Sequence, residues 1–285
     1  MCFLGAGYTH QDGRYQDVVQ RGLDWLKNVS DANNGDLRTV RIQPEREARH
    51  GMYAQGMAAI ALCEAYGMTR DESLRAAATA AIRYIADAQH PTNGGWRYYP
   101  GEPGDTSVVG WQIMALVSGR MSGLTVSRMV HGRATEFLDF VYDRVRGQFG
   151  YTSRYDDPTR ATTAIGLLCR MYLEADLDRE RYETTINSLI PRPRERNEYA
   201  LYYIAQVLHH WGGERWHRWN TAMRQHLIHT QSDEEHAAGS WPPEGRWGST
   251  GGRLYTTCMH ILTLEVYYRH LPLYQDESFL YSTSQ

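Results

Sequence analysis

Apolar positions along the chain follow two alternating patterns. In the first, segments of helical length are apolar nearly all round and rich in Ala and Gly. They begin at His50 (HGMYAQGMAAIALCEAYGM), Asp105 (DTSVVGWQIMALVSGRM), Thr159 (TRATTAIGLLCRMYL), Glu198 (EYALYYIAQVLHHW) and Arg253 (RLYTTCMHILTLEVYY). In the second, a single apolar stripe runs at spacings of three and four. Residues 15–28 align Val18, Gly22, Leu23 and Leu26, and residues 71–89 align Leu74, Ala78, Ile82 and Ile85. Residues 125–143 align Ala134, Leu138 and Val141, and residues 216–230 align Trp216, Trp219, Met223 and Leu227. A helix with one apolar stripe keeps one wet face, whereas a helix apolar on every side is buried on every side. The alternation predicts inner helices wrapped by outer ones, and no segment shows the sustained two-residue alternation of a strand.

The inner segments also repeat. Each carries a leucine in the same local setting (Leu62, Leu116, Leu168, Leu208 and Leu264), at separations of 54, 52, 40 and 56 residues. A more polar helical segment precedes each. Units of this length are stacked supersecondary modules, none of which can bury its apolar face alone. The expected fold is all-α, a double barrel of inner and outer helices forming one domain over residues 1–285. Turn residues support the partition: Pro91-Thr92-Asn93-Gly94-Gly95, Arg146-Gly147-Gln148 and Ala238-Gly239-Ser240 each follow an outer helix. Pro191-Arg192-Pro193 is expected to cut the fourth outer helix short. Residues 1–7 look like the end of an inner helix whose beginning is absent, as in a domain excised from a longer protein or a first repeat reduced to a stub.

Composition removes some functions. A net charge of −3 gives no electrostatic footprint for nucleic acid. The apolar stretches fall short of the ~20 residues that span a bilayer, and residues 1–7 lack the basic leader and long apolar run of a signal peptide. Cys2, Cys63, Cys169 and Cys258 include no CxxC pair; they read as small buried thiols, which favours a reducing, cytoplasmic setting.

At the turns the chain resembles a known family. Gln89 followed by Gly94-Gly95-Trp96, and Gln231 followed by Gly239-Ser240-Trp241, resemble the Gln-Trp repeat of squalene–hopene and oxidosqualene cyclases; Gly147-Gln148-Phe149 is a degraded third copy. In that family the Gln caps the outer helix and packs on the Trp, tying neighbouring repeats together. The whole chain, above all residues 52–116 and 241–273, is similar to the bacterial prenyltransferase/squalene-oxidase-repeat proteins. The resemblance implies an α/α toroid of about five to six helical hairpins around a central cavity.

Two chemistries belong to that superfamily. Class II cyclases protonate an alkene with the central acid of an Asp-x-Asp-Asp-Thr-Ala run, which must be unusually strong. The matching run here is Glu102-Pro103-Gly104-Asp105-Thr106-Ser107, with Gly104 at the donor position. Tyr155-Asp156-Asp157-Pro158 has paired acids but no leading Asp. Protein prenyltransferases hold zinc through Asp-x-Cys and a distant His. Ser107 stands at the thiolate position and Thr256 or Thr257 at the imidazole position. Cys258 and His260, two residues apart on a helix, diverge. The Gly-Cys-Gly-Glu-Gln run of thioester domains is absent. No cofactor is expected.

The remaining candidates gather where loops enter the inner helices. Asp105, Glu102 and His50 are the candidate acids and bases, with Asp105 also expected as an N-cap. Tyr53, Trp111, Tyr255, Arg253, Tyr98 and Tyr99 are the candidate ligand-binding groups, by virtue of their rings and charge. Gln89, Trp96, Gln231 and Trp241 are structural. His209 and His210 are expected at a helix C-terminus interacting with its dipole, and Glu64 and Glu265 at a solvated far rim. Three functions fit: a non-catalytic toroid holding an apolar or isoprenoid-like small molecule or a protein partner, an unorthodox cyclase or prenyl-transferring enzyme, and a glycan-active α/α barrel using a carboxylate pair. The first is favoured because both catalytic signatures lose their central residue. Metal analysis of the purified protein should find no stoichiometric zinc; about one zinc per chain, lost on Cys258→Ala, would overturn this reading.

Overall fold

The computed structural model describes residues 1–38, 50–190 and 197–266. Among these, all but two short strands of the regular structure is helical. The inner set comprises α1 (Cys2–Gly5), α3 (Gly51–Thr69), α5 (Thr106–Met121), α7 (Arg160–Leu173), α9 (Glu198–Trp211) and α11 (Gly248–Glu265). The outer set comprises α2 (Gln16–Ala32), α4 (Glu72–Asp87), α6 (Arg128–Val141), α8 (Glu183–Leu189) and α10 (Gly213–Thr230). Burial separates α3, α5, α7 and α9 from the outer helices as the pattern predicts: 14 of 16 residues of α5 are buried, against three of 17 in α2. Helix α11 departs from it, with six of 18 residues buried, no larger a share than in α4. Leu62, Leu116, Leu168 and Leu208 are fully buried, and Leu264 is half-buried against the core.

Side-chain caps fix several helix starts. The N-cap Asp105 accepts from Val108 N at 2.9 Å, Asn197 from Ala200 N at 3.2 Å, and Thr159 forms a reciprocal capping box with Thr162. Inner helices pack in sequence order: α3 on α5, α5 on α7, α7 on α9 and α9 on α11. From there α11 packs on α1, and α1 on α3. On the outside, α4 lies against both α3 and α5, and α6 against both α5 and α7.

The turns that end the outer helices share one set of bonds. Gln89 Nε2 donates to Gly94 O at 2.8 Å, as Gln231 Nε2 does to Gly239 O at 2.8 Å. Trp96 Nε1 donates to Ile85 O at 2.7 Å and Trp241 Nε1 to Leu227 O at 2.8 Å. Each indole thus satisfies a carbonyl in the last turns of its helix. Gln89 also donates to Val130 O of α6 at 2.9 Å, binding one repeat to the next. In the degraded copy Tyr142 stands at the Gln position and Phe149 at the Trp position. They face each other in a two-stranded hairpin, β1 (Tyr142–Asp143) with β2 (Gln148–Phe149), with ring centroids 4.6 Å apart.

A further copy went unread in the sequence because its amide comes from another helix. Gly35 and Leu37 occupy the Gly and Trp positions, and Gln55 of α3 donates to Gly35 O at 2.9 Å and to Ala81 O of α4 at 3.3 Å. In both cases the turn glycine has positive φ (89° at Gly35, 76° at Gly94) and presses on the next outer helix. A Cβ at Gly35 would collide with the Ala80 carbonyl, and one at Gly94 with the Arg133 carbonyl.

Other boundaries differ from the pattern for local reasons. The buried stripe of α2 is Val19 and Leu23, not Val18, which is exposed. Helix α6 stops at Val141 because the next two residues join the hairpin. Helix α11 contains a break at Gly252, so its regular part starts at Arg253 as expected. The seven-residue α8 is short, and Pro191-Arg192-Pro193, like everything beyond Val266, lies outside the described residues. Glu64 and Glu265, expected at a solvated rim, are buried.

Substitution separates the two duties of the turn glycine. Gly101 has φ 73° with open space around it, so Gly101→Ala should cost only the left-handed strain of about 1–2 kcal/mol. Gly94→Ala should cost at least about 3 kcal/mol, because the Arg133 backbone must also move. Urea denaturation of the two variants checks this; equal losses would remove the role of the close approach.

Candidate functional site

The starts of the inner helices bring a belt of aromatic and hydroxyl groups around Asp105. Its first pair comes from the repeat itself. Tyr98 and Tyr151 each stand two residues after the turn aromatic, Trp96 and Phe149. Successive repeats therefore present the same position, and the two hydroxyls meet at 2.9 Å. His50, exposed at the start of α3, lies 5.0 Å from the Tyr98 ring and 6.3 Å from that of Tyr53. On the other side Trp111 Nε1 donates to Tyr199 Oη at 3.0 Å, and the indole stacks on Tyr202 and meets Tyr203 edge-on.

Asp105 sits among these groups with no solvent exposure. Its Oδ1 takes the capping bond from Val108 N, so the cap expected from the sequence is present. Its Oδ2 completes no hydrogen bond of normal geometry, and Arg97 Nε lies 3.8 Å away. Burial pushes the carboxyl up to about 6, although the Val108 N–H, the nearby Tyr151 hydroxyl and Arg97 all pull it down. Burial likewise raises the hydroxyls of Tyr53, Tyr151 and Tyr199, with the Asp105 charge adding to each. These hydroxyls stay protonated and serve as donors. A carboxyl that exchanges its proton near neutrality, beside two linked tyrosines leading to the exposed His50, can donate to or accept from a bound oxygen.

The other candidates are placed differently. Glu102 is half-buried, and its Oε2 accepts from Tyr99 N at 3.0 Å. Tyr99 is itself 37% exposed at that turn. Arg253 is exposed and donates to Ser240 Oγ at 3.0 Å, tying it to the last Gln-Trp turn. Tyr255 is half-buried, and after burial the chief influence raising its hydroxyl is Glu198. Asp156 is engaged by Thr152 and Ser153 backbone and hydroxyl groups at 2.6–3.1 Å, which hold its carboxyl below the usual range. It is a loop-forming residue. His210 is pushed down to about 4 by burial, so it is neutral and does not bring a charge to the helix dipole. Position 104, which the resemblance set against the cyclase proton donor, is closed by backbone: a Cβ on Gly104 would lie 2.6 Å from Gly95 Cα. Among the described residues, no three His, Cys, Asp or Glu side chains converge as a metal-ligand set. A shallow surface depression lies along the exposed face of α10, lined by Glu214, His217, Arg218 and Thr221, away from the belt.

Reading from sequence missed Arg97, Tyr151, Tyr199 and Glu198. The first two carry a signal, since both lie within two residues of a turn aromatic; the last two lie at an inner-helix start that the pattern marked. The chain matches no protein-family model and no curated protein.

The buried carboxyl gives a pH test. Unfolded, Asp105 titrates near 3.8, and folded near 6. Between those values the folded state holds the extra proton, so this group's contribution to stability falls as pH rises through the window and levels off above it. Asn caps as well as Asp and carries no charge. Asp105→Asn should therefore be the more stable protein near pH 7, by on the order of 2–3 kcal/mol, with the gap closing toward pH 4. Denaturation curves across that range read it; a gap independent of pH would show that the carboxyl is not desolvated.

Proposed function

We propose that this chain is an α/α toroid of the terpenoid cyclase and prenyltransferase type that binds an apolar, oxygen-bearing small molecule at the mouth formed by its inner-helix starts, without the proton-donating chemistry of the cyclases. The toroid reading is supported by the order of helix packing, which runs from α1 through the inner helices and returns to α1. The Gln-Trp turns support the family resemblance by their shared bonds.

The observation that carries the ligand reading is Asp105 Oδ2, buried among rings and completing no hydrogen bond of normal geometry, with Arg97 Nε at 3.8 Å its nearest charge. Convergent polar groups over an apolar surface are the general form of a small-molecule site. A carboxyl at about 6 is a weaker acid than an ordinary Asp. It is thus unsuited to protonating an alkene and well suited to donating a hydrogen bond while neutral. Gly104 offers no second acid. A glycan-cleaving pair would have to come from Glu102 with Asp105 or Asp156 with Asp157, and Glu102 and Asp156 are each engaged in their own turns.

An isoprenoid ketone, which only accepts hydrogen bonds, is the discriminating probe. Geranylacetone titrated by calorimetry should bind about thirtyfold more tightly at about pH 5 than at about pH 7.5, a change of about 2 kcal/mol. Asp105→Asn, which keeps an amide donor, should bind without that pH dependence, and Trp111→Ala should weaken binding at every pH. Absence of binding, or wild-type binding indifferent to pH, refutes the reading.

A further inference from the structure

Four thiols with no sequence pairing are sorted by the structure into two classes. Cys63 and Cys169 are buried among apolar side chains, which hold both thiols well above their usual range. Cys2 and Cys258 are partly exposed and meet where α1 packs against α11, although 256 positions separate them. Cys2 Sγ donates to the Cys258 carbonyl oxygen at 3.7 Å, and each thiol lies close enough to shift the proton affinity of the other.

That contact makes the pair unequal. The neighbouring Cys2 thiol draws that of Cys258 below its usual range, while Cys2 itself is pushed up by Cys258 and by burial and keeps its proton. A partly exposed thiolate beside a second thiol is the arrangement of a peroxide-reactive pair with its own resolving cysteine.

We propose that Cys2 and Cys258 are a reversible disulfide site, oxidised by a hydroperoxide, that joins α1 to α11. In the first step the Cys258 thiolate attacks the peroxide oxygen. A sulfenic acid forms as the O–O bond breaks, and the leaving oxygen departs as hydroxide, protonated to water when the peroxide is hydrogen peroxide. The Cys2 sulfur then gives up its proton and attacks the Cys258 sulfur. An S–S bond forms, the S–O bond breaks, and the departing hydroxide takes that proton to become a second water. Two thiols and one hydrogen peroxide thus become one disulfide and two waters, and a dithiol reductant reverses the change. The bond encloses nearly the whole chain, the situation in which a cross-link removes most entropy from the unfolded state.

The test uses the full chain treated with equimolar hydrogen peroxide. Non-reducing peptide mapping should show a Cys2–Cys258 linked peptide lacking two hydrogens, with Cys63 and Cys169 alkylated only after unfolding. The melting temperature should rise by about 5 °C or more and return on treatment with dithiothreitol. Cys2→Ser and Cys258→Ser should each abolish the linked peptide and the shift. Oxidation of Cys258 to a sulfinic acid without a cross-link, linkage between chains, or a melting shift that persists in Cys2→Ser would overturn the proposal.

Discussion

The contact of turn backbone with helix backbone governs how one repeat meets the next. At Gly35 and Gly94 the chain passes so close to the following outer helix that no side chain fits. A glutamine amide then bridges the turn carbonyl to a carbonyl of that helix. Such a junction combines a steric stop with two directional bonds, so it sets rotation and height together. Because successive repeats are locked in one register, equivalent side chains come together, as the Tyr98 and Tyr151 hydroxyls do. The belt around Asp105 is a product of the junctions outside it.

Most of the helical layout was legible because burial and periodicity are the same fact seen twice. An inner helix such as α5 meets neighbours on every side, so its sequence has no polar face to hide. What escaped was set by contacts at a distance. The Gly35 turn has no Gln after its helix; Gln55 supplies the amide from the next inner helix. Val18 and Val19 are equally apolar, and only packing chooses the second. Glu64 and Glu265 looked like rim residues because charge predicts water on average, whereas here both are enclosed.

The site was partly legible for a related reason. Helix starts are readable through their caps, so the sequence alone puts Asp105, Tyr53 and Trp111 at one end. Arg253 was placed there too, yet it reaches instead to Ser240, because Gly252 breaks the helix just ahead of it and the last Gln-Trp turn is within its grasp. The raised proton affinity of Asp105 could not be read from its neighbours in sequence. It arises from burial, against which its sequence neighbours Ser107 and Val108 and the more distant Arg97 and Tyr151 all pull the carboxyl down.

The approach of Gly104 to Gly95 bears on how this protein could acquire new chemistry. An acid introduced at position 104 would drive a side chain into the backbone of the first Gln-Trp turn and into Phe137 of α6. The same turn is held by Asn93, whose Oδ1 accepts from Gly104 N at 2.6 Å. A point mutation there would press on the turn that seats the Trp96 indole and joins two repeats. Position 104 is therefore closed to side chains for as long as the turn keeps its place, and any designer wishing to put a new group there must rebuild the turn first.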